Sequence, residues 1–206
     1  MPLSSDKGLC GGVNSVMTRT LRRMIPVMEA AGKTADIAVV GDKGRAQLRR
    51  IFPNAITNVA SEVVRPVTFE TCAALAAEVK AGDYDAVHVV YNKHVNQISY
   101  DTKILSIPTL GGGSDLEQLV EYEFEPDTKT EIMEDMQEYL LASSIYAGML
   151  ECGAAEQASR MNAMENATKN SGELIDSLTL QYNRARQARI TTELVEIISG
   201  ASAIAD

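Results

Sequence analysis

Apolar positions recur at every third or fourth residue through the last part of the chain, and in shorter, turn-bounded runs before it. From Asp127 to Ala205 no proline interrupts the pattern, and the stretch reads as one helix. At about 1.5 Å rise per residue, such a helix spans on the order of 110 Å. A compact chain of this size has a radius of gyration of roughly 17 Å. The helix is therefore expected to project from any globule the rest forms. An apolar-striped projection needs something to lie against, which points to assembly rather than solitary catalysis.

Before Pro126 the pattern alternates between strand and helix periods. Residues 1–4 read as the end of a strand, 5–12 as a glycine-rich turn, and Val13 to about Ala31 as a helix that Pro26 should kink or weaken. Asp36–Gly41 reads as a buried parallel strand and Gly44–Phe52 as a short basic helix with Arg45, Arg49 and Arg50 outside. Pro53–Pro66 carries no regular pattern, and Thr68 can cap a helix over residues 68–81 whose Leu75, Ala76 and Val79 face inward. Further strands are expected at 85–92, at 95–107 with a turn or bulge at Asp101–Lys103, and at 122–125, with a glycine loop at 109–115. The order predicts an α/β fold: a mainly parallel-sheet, Rossmann-like domain over 1–126, plus a very long carboxy-terminal helix over 127–206.

Within that helix, Ala154, Ala158, Met161, Met164, Thr168, Ser171, Ile175, Leu178, Tyr182 and Ala185 follow one another at spacings of three or four. This is a coiled-coil seam of mostly small residues, which admits a partner helix closely. From Ile190 onward apolar residues cover more than one face, and such a tip expects to be surrounded. Arg184, Arg186 and Arg189 precede the tip, while Glu131, Glu134, Asp135 and Glu138 crowd the first turns and complement the helix dipole.

Composition narrows the functions. The net charge of −9 argues against nucleic acid as a partner, although the charge is unevenly spread. No run approaches the roughly 18 apolar residues of a membrane span, so direct membrane insertion is not expected. No signal peptide is visible. Cys10, Cys72 and Cys152 are too scattered for a metal or disulfide framework and read as thiols of a reducing compartment. Gly8-Leu9-Cys10-Gly11-Gly12 lacks the spacing of a phosphate-binding loop and reads as a tight strand-to-helix turn. His88, placed in a strand, and His94, placed in a loop, have no ligand-spaced companions. No catalytic set, cofactor or metal is expected.

Ser5-Asp6-Lys7-Gly8-Leu9-Cys10-Gly11-Gly12-Val13-Asn14 resembles the signature turn of the gamma subunit of F-type ATP synthases. Ser159–Thr168, Leu180–Ala188 and Ile190–Ala201 resemble that family's carboxy-terminal helix, in the style of its mitochondrial and related bacterial forms. The resemblance implies a non-catalytic central-stalk rotor subunit, coupling proton-driven rotation of the c ring to ATP synthesis in the catalytic beta subunits. It implies alpha and beta subunits around the shaft, and the c ring with a small epsilon- or delta-type subunit at the foot. Contacts with acidic beta-subunit catch loops map onto Arg186, Gln187, Thr191 and Glu193, with Arg160 in the other signature segment. The family's amino-terminal helix does not appear in this sequence, and the seam expects that helix as its partner. No inserted dithiol segment of the chloroplast regulatory kind is seen. The implied location is the matrix side of the mitochondrial inner membrane, peripherally, or alternatively the cytoplasmic face of a bacterial plasma membrane. A small-ligand or nucleotide-binding α/β enzyme with an oligomerising helix is the alternative that the glycine turn motivates. A generic coiled-coil adaptor leaves the basic cluster and apolar tip without a role.

Overall fold

The computed structural model describes residues 1–82, 84–109 and 129–205. The chain divides into two compact units, Met1–Ala163 and Met164–Asp206. In the first, β1 (Ile37–Val40) and β2 (Ile56–Ala60) pair in parallel, and β3 (Ala86–His94) and β4 (Tyr100–Pro108) pair antiparallel. The chain start joins them: Pro2 bridges Val90 of β3 and Leu3 bridges Val40 of β1, both in parallel. Leu3 N–H donates to the Val90 carbonyl at 2.9 Å and Ser4 N–H to that of Val40 at 2.8 Å. The spatial order is therefore β2, β1, chain start, β3, β4, parallel in every pairing but the last.

The helices are α1 (Val13–Ala30), α2 (Asp42–Leu48), α3 (Phe69–Lys80) and α4 (Lys129–Ala205). α1 and α2 connect neighbouring parallel strands in the same direction, so right-handed crossovers put both on one face of the sheet. The first turns of α4 take the other face. Successive residues of the central strand record this, since strand side chains alternate. Leu3 packs against Gly148 of α4, while the Ser4 hydroxyl accepts from Gly44 N–H of α2 at 3.1 Å. α1 buries Val13, Met17, Leu21 and Ile25 at four-residue spacing and runs on through Pro26. α4 buries Leu141, Ile145, Met149 and Cys152 at spacings of three and four. Full burial of a side chain such as Ile145 contributes roughly 1.5–3 kcal/mol. Phe69 of α3 meets Tyr139 and Tyr146 of α4 at ring-centroid distances of 5.8 and 6.0 Å. Among the described residues the second unit is helix alone, and its described side chains are exposed.

Several expectations shift. The segment read as irregular contains β2, whose Ile56–Ala60 runs apolar, polar, polar, apolar, apolar without alternation and buries no side chain fully, so it leaves little periodic signal. α2 begins two residues earlier than expected and ends at Leu48. Leu75 of α3 is only partly buried, and fully buried Cys72 joins Ala76 and Val79 on the inner face. No turn or bulge occurs at Asp101–Lys103; those residues pair in unbroken register with Lys93–Tyr91. The turn lies at 95–99, where the Asn96 side-chain oxygen accepts from Ile98 N–H, Ser99 N–H and the Ser99 hydroxyl at 2.8–2.9 Å and closes the hairpin. His94 accordingly ends β3 and is not in a loop. The strand expected at 122–125 and the boundary near Pro126 lie outside the described residues.

Gly41 has φ +97°, and a Cβ there would stand 2.5 Å from the Ser4 carbonyl oxygen. Gly41→Ala is expected to cost about 2–4 kcal/mol from backbone strain and overpacking together. Gly172, in the second unit, has nothing within 4 Å; Gly172→Ala is expected to gain up to about 1 kcal/mol of helix stability. Urea-unfolding midpoints of the two variants check both.

Candidate functional site

The glycine-rich turn is closed by its own side chains. Ser5 N–H donates to the Asn14 side-chain oxygen at 3.1 Å, and the Asn14 amide donates back to the Ser5 hydroxyl at 2.8 Å and to Cys10 Sγ at 3.3 Å. Leu9 and Gly11 adopt positive φ, 62° and 59°. The space a Cβ at Gly11 would fill is taken by the Ser159 hydroxyl of α4, which donates to the Cys10 carbonyl at 2.6 Å. Asp6 accepts from Asp42 N–H at 3.1 Å and Glu62 N–H at 3.2 Å, holding the starts of α2 and of the next loop. The turn is thus a clasp between the sheet, α1 and α4.

A second set of polar contacts lies beneath it. Asn92, fully buried on β3, donates through its side-chain amide to the Val13 carbonyl at 3.2 Å and accepts from the Thr102 hydroxyl at 2.7 Å. Its N–H donates to Cys152 Sγ at 3.3 Å, and the Cys152 thiol donates to the Leu3 carbonyl at 3.4 Å. Burial pushes the Cys152 thiol up to about 12, so it stays protonated and inert. Burial raises the Cys72 thiol too. All three cysteines are free and buried. The hairpin tip docks on the same stretch of α4: the Asn162 amide donates to the Gln97 carbonyl at 2.6 Å.

Arg160, expected among the partner contacts, is engaged inside the first unit. Glu156 is 5% exposed. Its two oxygens take separate cations, Arg160 at 2.6 Å and Arg65 at 2.7 Å. Arg160 also donates to Gln157 Oε1 at 3.1 Å. A Cβ at Gly153 would stand 2.7 Å from the Arg65 guanidinium, so a glycine inside the helix makes the room that Arg65 uses. The sequence reading missed Glu156, Arg65, Ser159 and Asn92. Gly153 in mid-helix was the available signal, because a buried helical glycine asks what approaches it.

Arg186, Gln187, Thr191 and Glu193 fall together within two turns of the second unit, all exposed. The Thr191 hydroxyl donates to the Gln187 carbonyl at 2.9 Å, and Glu193 pairs with Arg189 at 2.8 Å. Arg184 and Arg186 make no ion pair among the described residues. The apolar tip is open: Ile190, Leu194, Val195, Ile197 and Ile198 are 53–69% exposed. Seam residues Ile175, Leu178 and Tyr182 are likewise 53–68% exposed. In the first unit, seam residue Ala154 is exposed, about 200° round the helix from Cys152, whereas Ala158 and Met161 lie beside the hairpin tip, where the Gln97 amide donates to Met161 Sδ at 3.6 Å. Among the described residues no group of His, Cys, Asp and Glu is placed to hold a metal ion. No described helix is long and apolar enough to cross a membrane.

A family model described as "ATP synthase" matches residues 1–204. The ATP synthase gamma chain of Zymomonas mobilis subsp. mobilis is 42% identical over 217 residues, covering 98% of this chain and 72% of the relative. The mitochondrial ATP synthase subunit gamma of Yarrowia lipolytica is 40% identical over 205 residues, covering 98% and 69%. Among solved structures, a chain from the central stalk and c-ring of the Tetrahymena thermophila mitochondrial ATP synthase superposes with TM-score 0.71 at 36% identity, covering 81% of this chain and 74% of that one. A Rossmann-like domain packed on the base of a long, apolar-striped helix defines an α/β protein with a long helical extension. The chain belongs to the ATP synthase gamma chain family.

Glu156→Gln leaves two guanidinium groups facing a neutral amide. A loss of about 2–3 kcal/mol is expected, at the low end for a buried pair because both arginines reach solvent. Thermal unfolding of the first unit, followed by circular dichroism, measures it; an unchanged midpoint removes the carboxylate from the seat of α4.

Proposed function

We propose that this chain is the central-stalk rotor subunit of an F-type ATP synthase, coupling proton-driven rotation of the c ring to ATP synthesis in the catalytic beta subunits. The observation that carries the reading is the second unit: an exposed basic collar, Arg184–Arg189, followed at once by a tip apolar on several faces. Such a tip is accommodated inside a ring of alternating alpha and beta subunits, and the seam by the amino-terminal gamma helix running antiparallel to it. The foot domain, residues 1–126, faces the c ring and a small epsilon- or delta-type subunit; residues 127–206 form the shaft.

Torque transmission needs no bond chemistry from the shaft. It needs contacts that favour one conformation at each beta subunit in turn, since a ligand shifts an equilibrium only by its differential affinity for the two states. Arg186 supplies the strongest such contact: a guanidinium fork on an acidic catch loop makes charge-assisted, bidentate hydrogen bonds. Gln187 adds a neutral donor and acceptor beside it. Thr191, bonded back to Gln187, and Glu193, paired with Arg189, hold that turn in register and exchange partners as each loop passes. Arg160 acts at the other end by pairing with Glu156 on the same helix, and the second oxygen of Glu156, bonded to Arg65, ties the helix to the foot. The location that fits is peripheral, on the matrix side of the mitochondrial inner membrane, with the cytoplasmic face of a bacterial plasma membrane as the alternative.

Arg186→Ala with Gln187→Ala is expected to reduce ATP-driven proton pumping by a reconstituted complex roughly ten- to hundredfold, the loss of about 1.5–3 kcal/mol of charge-assisted bonding, while the foot keeps its circular dichroism. Unchanged coupling removes the two residues as principal contacts. The purified chain alone is expected to hydrolyse no ATP; steady turnover by it would favour a nucleotide-binding α/β enzyme instead.

A further inference from the structure

The foot is electrically two-sided. Residues 1–50 hold nine of the chain's 19 Lys and Arg but only four of its 28 Asp and Glu, so this segment is cationic in a chain of net charge −9. The fold gathers that charge on one face. Arg19, Arg22 and Arg23 are exposed on α1, and Arg45, Arg49 and Arg50 are exposed on or just after α2. The two helices are held side by side by the Thr18 hydroxyl, which donates to Gln47 Oε1 at 2.8 Å. Thr18 is within five positions of all three arginines on α1, and Gln47 within three of all three around α2. Only Arg45 has an ion pair among the described residues, with its own helix's Asp42 at 3.6 Å. The opposite face of the sheet carries α3 and the acidic first turns of α4, where Glu134 and Asp135 are exposed and Glu138 pairs with Lys80.

We infer that the α1–α2 face is an electrostatic docking surface for anionic phospholipid headgroups. The basic groups are mostly arginine, whose planar fork matches phosphate oxygens. They are spread over two helix surfaces rather than gathered in a pocket, which suits a field of headgroups more than one ligand. A cluster of this size lies within the range that attracts anionic membranes, with strength falling over a Debye length. The inference rests on the rotor reading for bringing the foot beside a membrane. A lipid surface also suits a turning subunit, because diffuse attraction to headgroups has no preferred angle.

Vesicle flotation of the full 206-residue chain tests this. The chain is expected to float with vesicles of phosphatidylcholine and phosphatidylglycerol but not with phosphatidylcholine alone, and to be released by salt. Replacing Arg22, Arg23, Arg49 and Arg50 together by Gln should weaken binding by about a hundredfold or more, with the urea midpoint unchanged because all four are exposed. Replacing Arg184, Arg186 and Arg189 by Gln should leave flotation intact. Equal binding to neutral vesicles, full binding by the first variant, or loss of binding in the second overturns the proposal. So does capture by an acidic subunit of the complex without flotation, which assigns the face to a protein. Flotation by a chain that fails to assemble with alpha and beta subunits would uphold the lipid surface and sink the rotor reading; assembly without flotation does the reverse.

Discussion

The structure depends on how α4 is seated against the central strand. A helix packed on a sheet by apolar contacts alone is free to slide or turn by a residue at modest cost. Here the seat is keyed by buried and half-buried polar groups. Cys152 stands between the Asn92 amide and the Leu3 carbonyl, Ser159 reaches the carbonyl of Cys10, and Glu156 is held by two arginines from different segments. Buried polar groups left without partners cost far more than paired ones return. A one-residue shift of α4 would strand several of these at once, so they fix register more than they add stability.

The glycine-rich turn belongs to the same device. A turn of this composition between a strand and a helix invites a phosphate at the helix start. Its side chains instead satisfy one another: Asn14 and Ser5 exchange hydrogen bonds, and α4 fills the space beside Gly11. The signature is conspicuous because it meets several elements simultaneously. The residues proposed for partner contact follow the opposite logic: Arg186 and Gln187 are exposed and make few internal bonds, as side chains that change partners must.

How much was legible in the sequence varied with the kind of signal. The long helix, α1, α3 and the buried strand β1 were readable because burial on one side imposes a period. β2 was not, because an edge strand with exposed Thr57, Asn58 and Val59 carries no such period. The hairpin turn was misplaced because Asp101 and Lys103 look like turn residues, yet both are paired on β4, while Asn96 closes the turn through its side chain. Of the candidate site, the motif-bearing positions were legible through the family resemblance. The Arg65–Glu156–Arg160 set was not: Glu156 and Arg160 stand one turn apart on α4, but Arg65 is 91 positions from Glu156, and only the packing of α4 near the loop before α3 brings it in.

Ser4 has a consequence for how this family's sequences vary. Its hydroxyl and carbonyl fill the places where side chains at Gly41 and Gly44 would begin, and the hydroxyl bonds the backbone of both segments. Positions 4 and 44 therefore do not drift independently. A larger residue at 44 is admissible only with a smaller one at 4, and that smaller residue gives up the bonds to Val40 and Gly44. At 41 the carbonyl of residue 4 and the positive φ exclude a side chain whatever stands at 4. Relatives should change 4 and 44 together or not at all and keep glycine at 41, a correlated constraint that hydrophobicity or charge alone would never reveal.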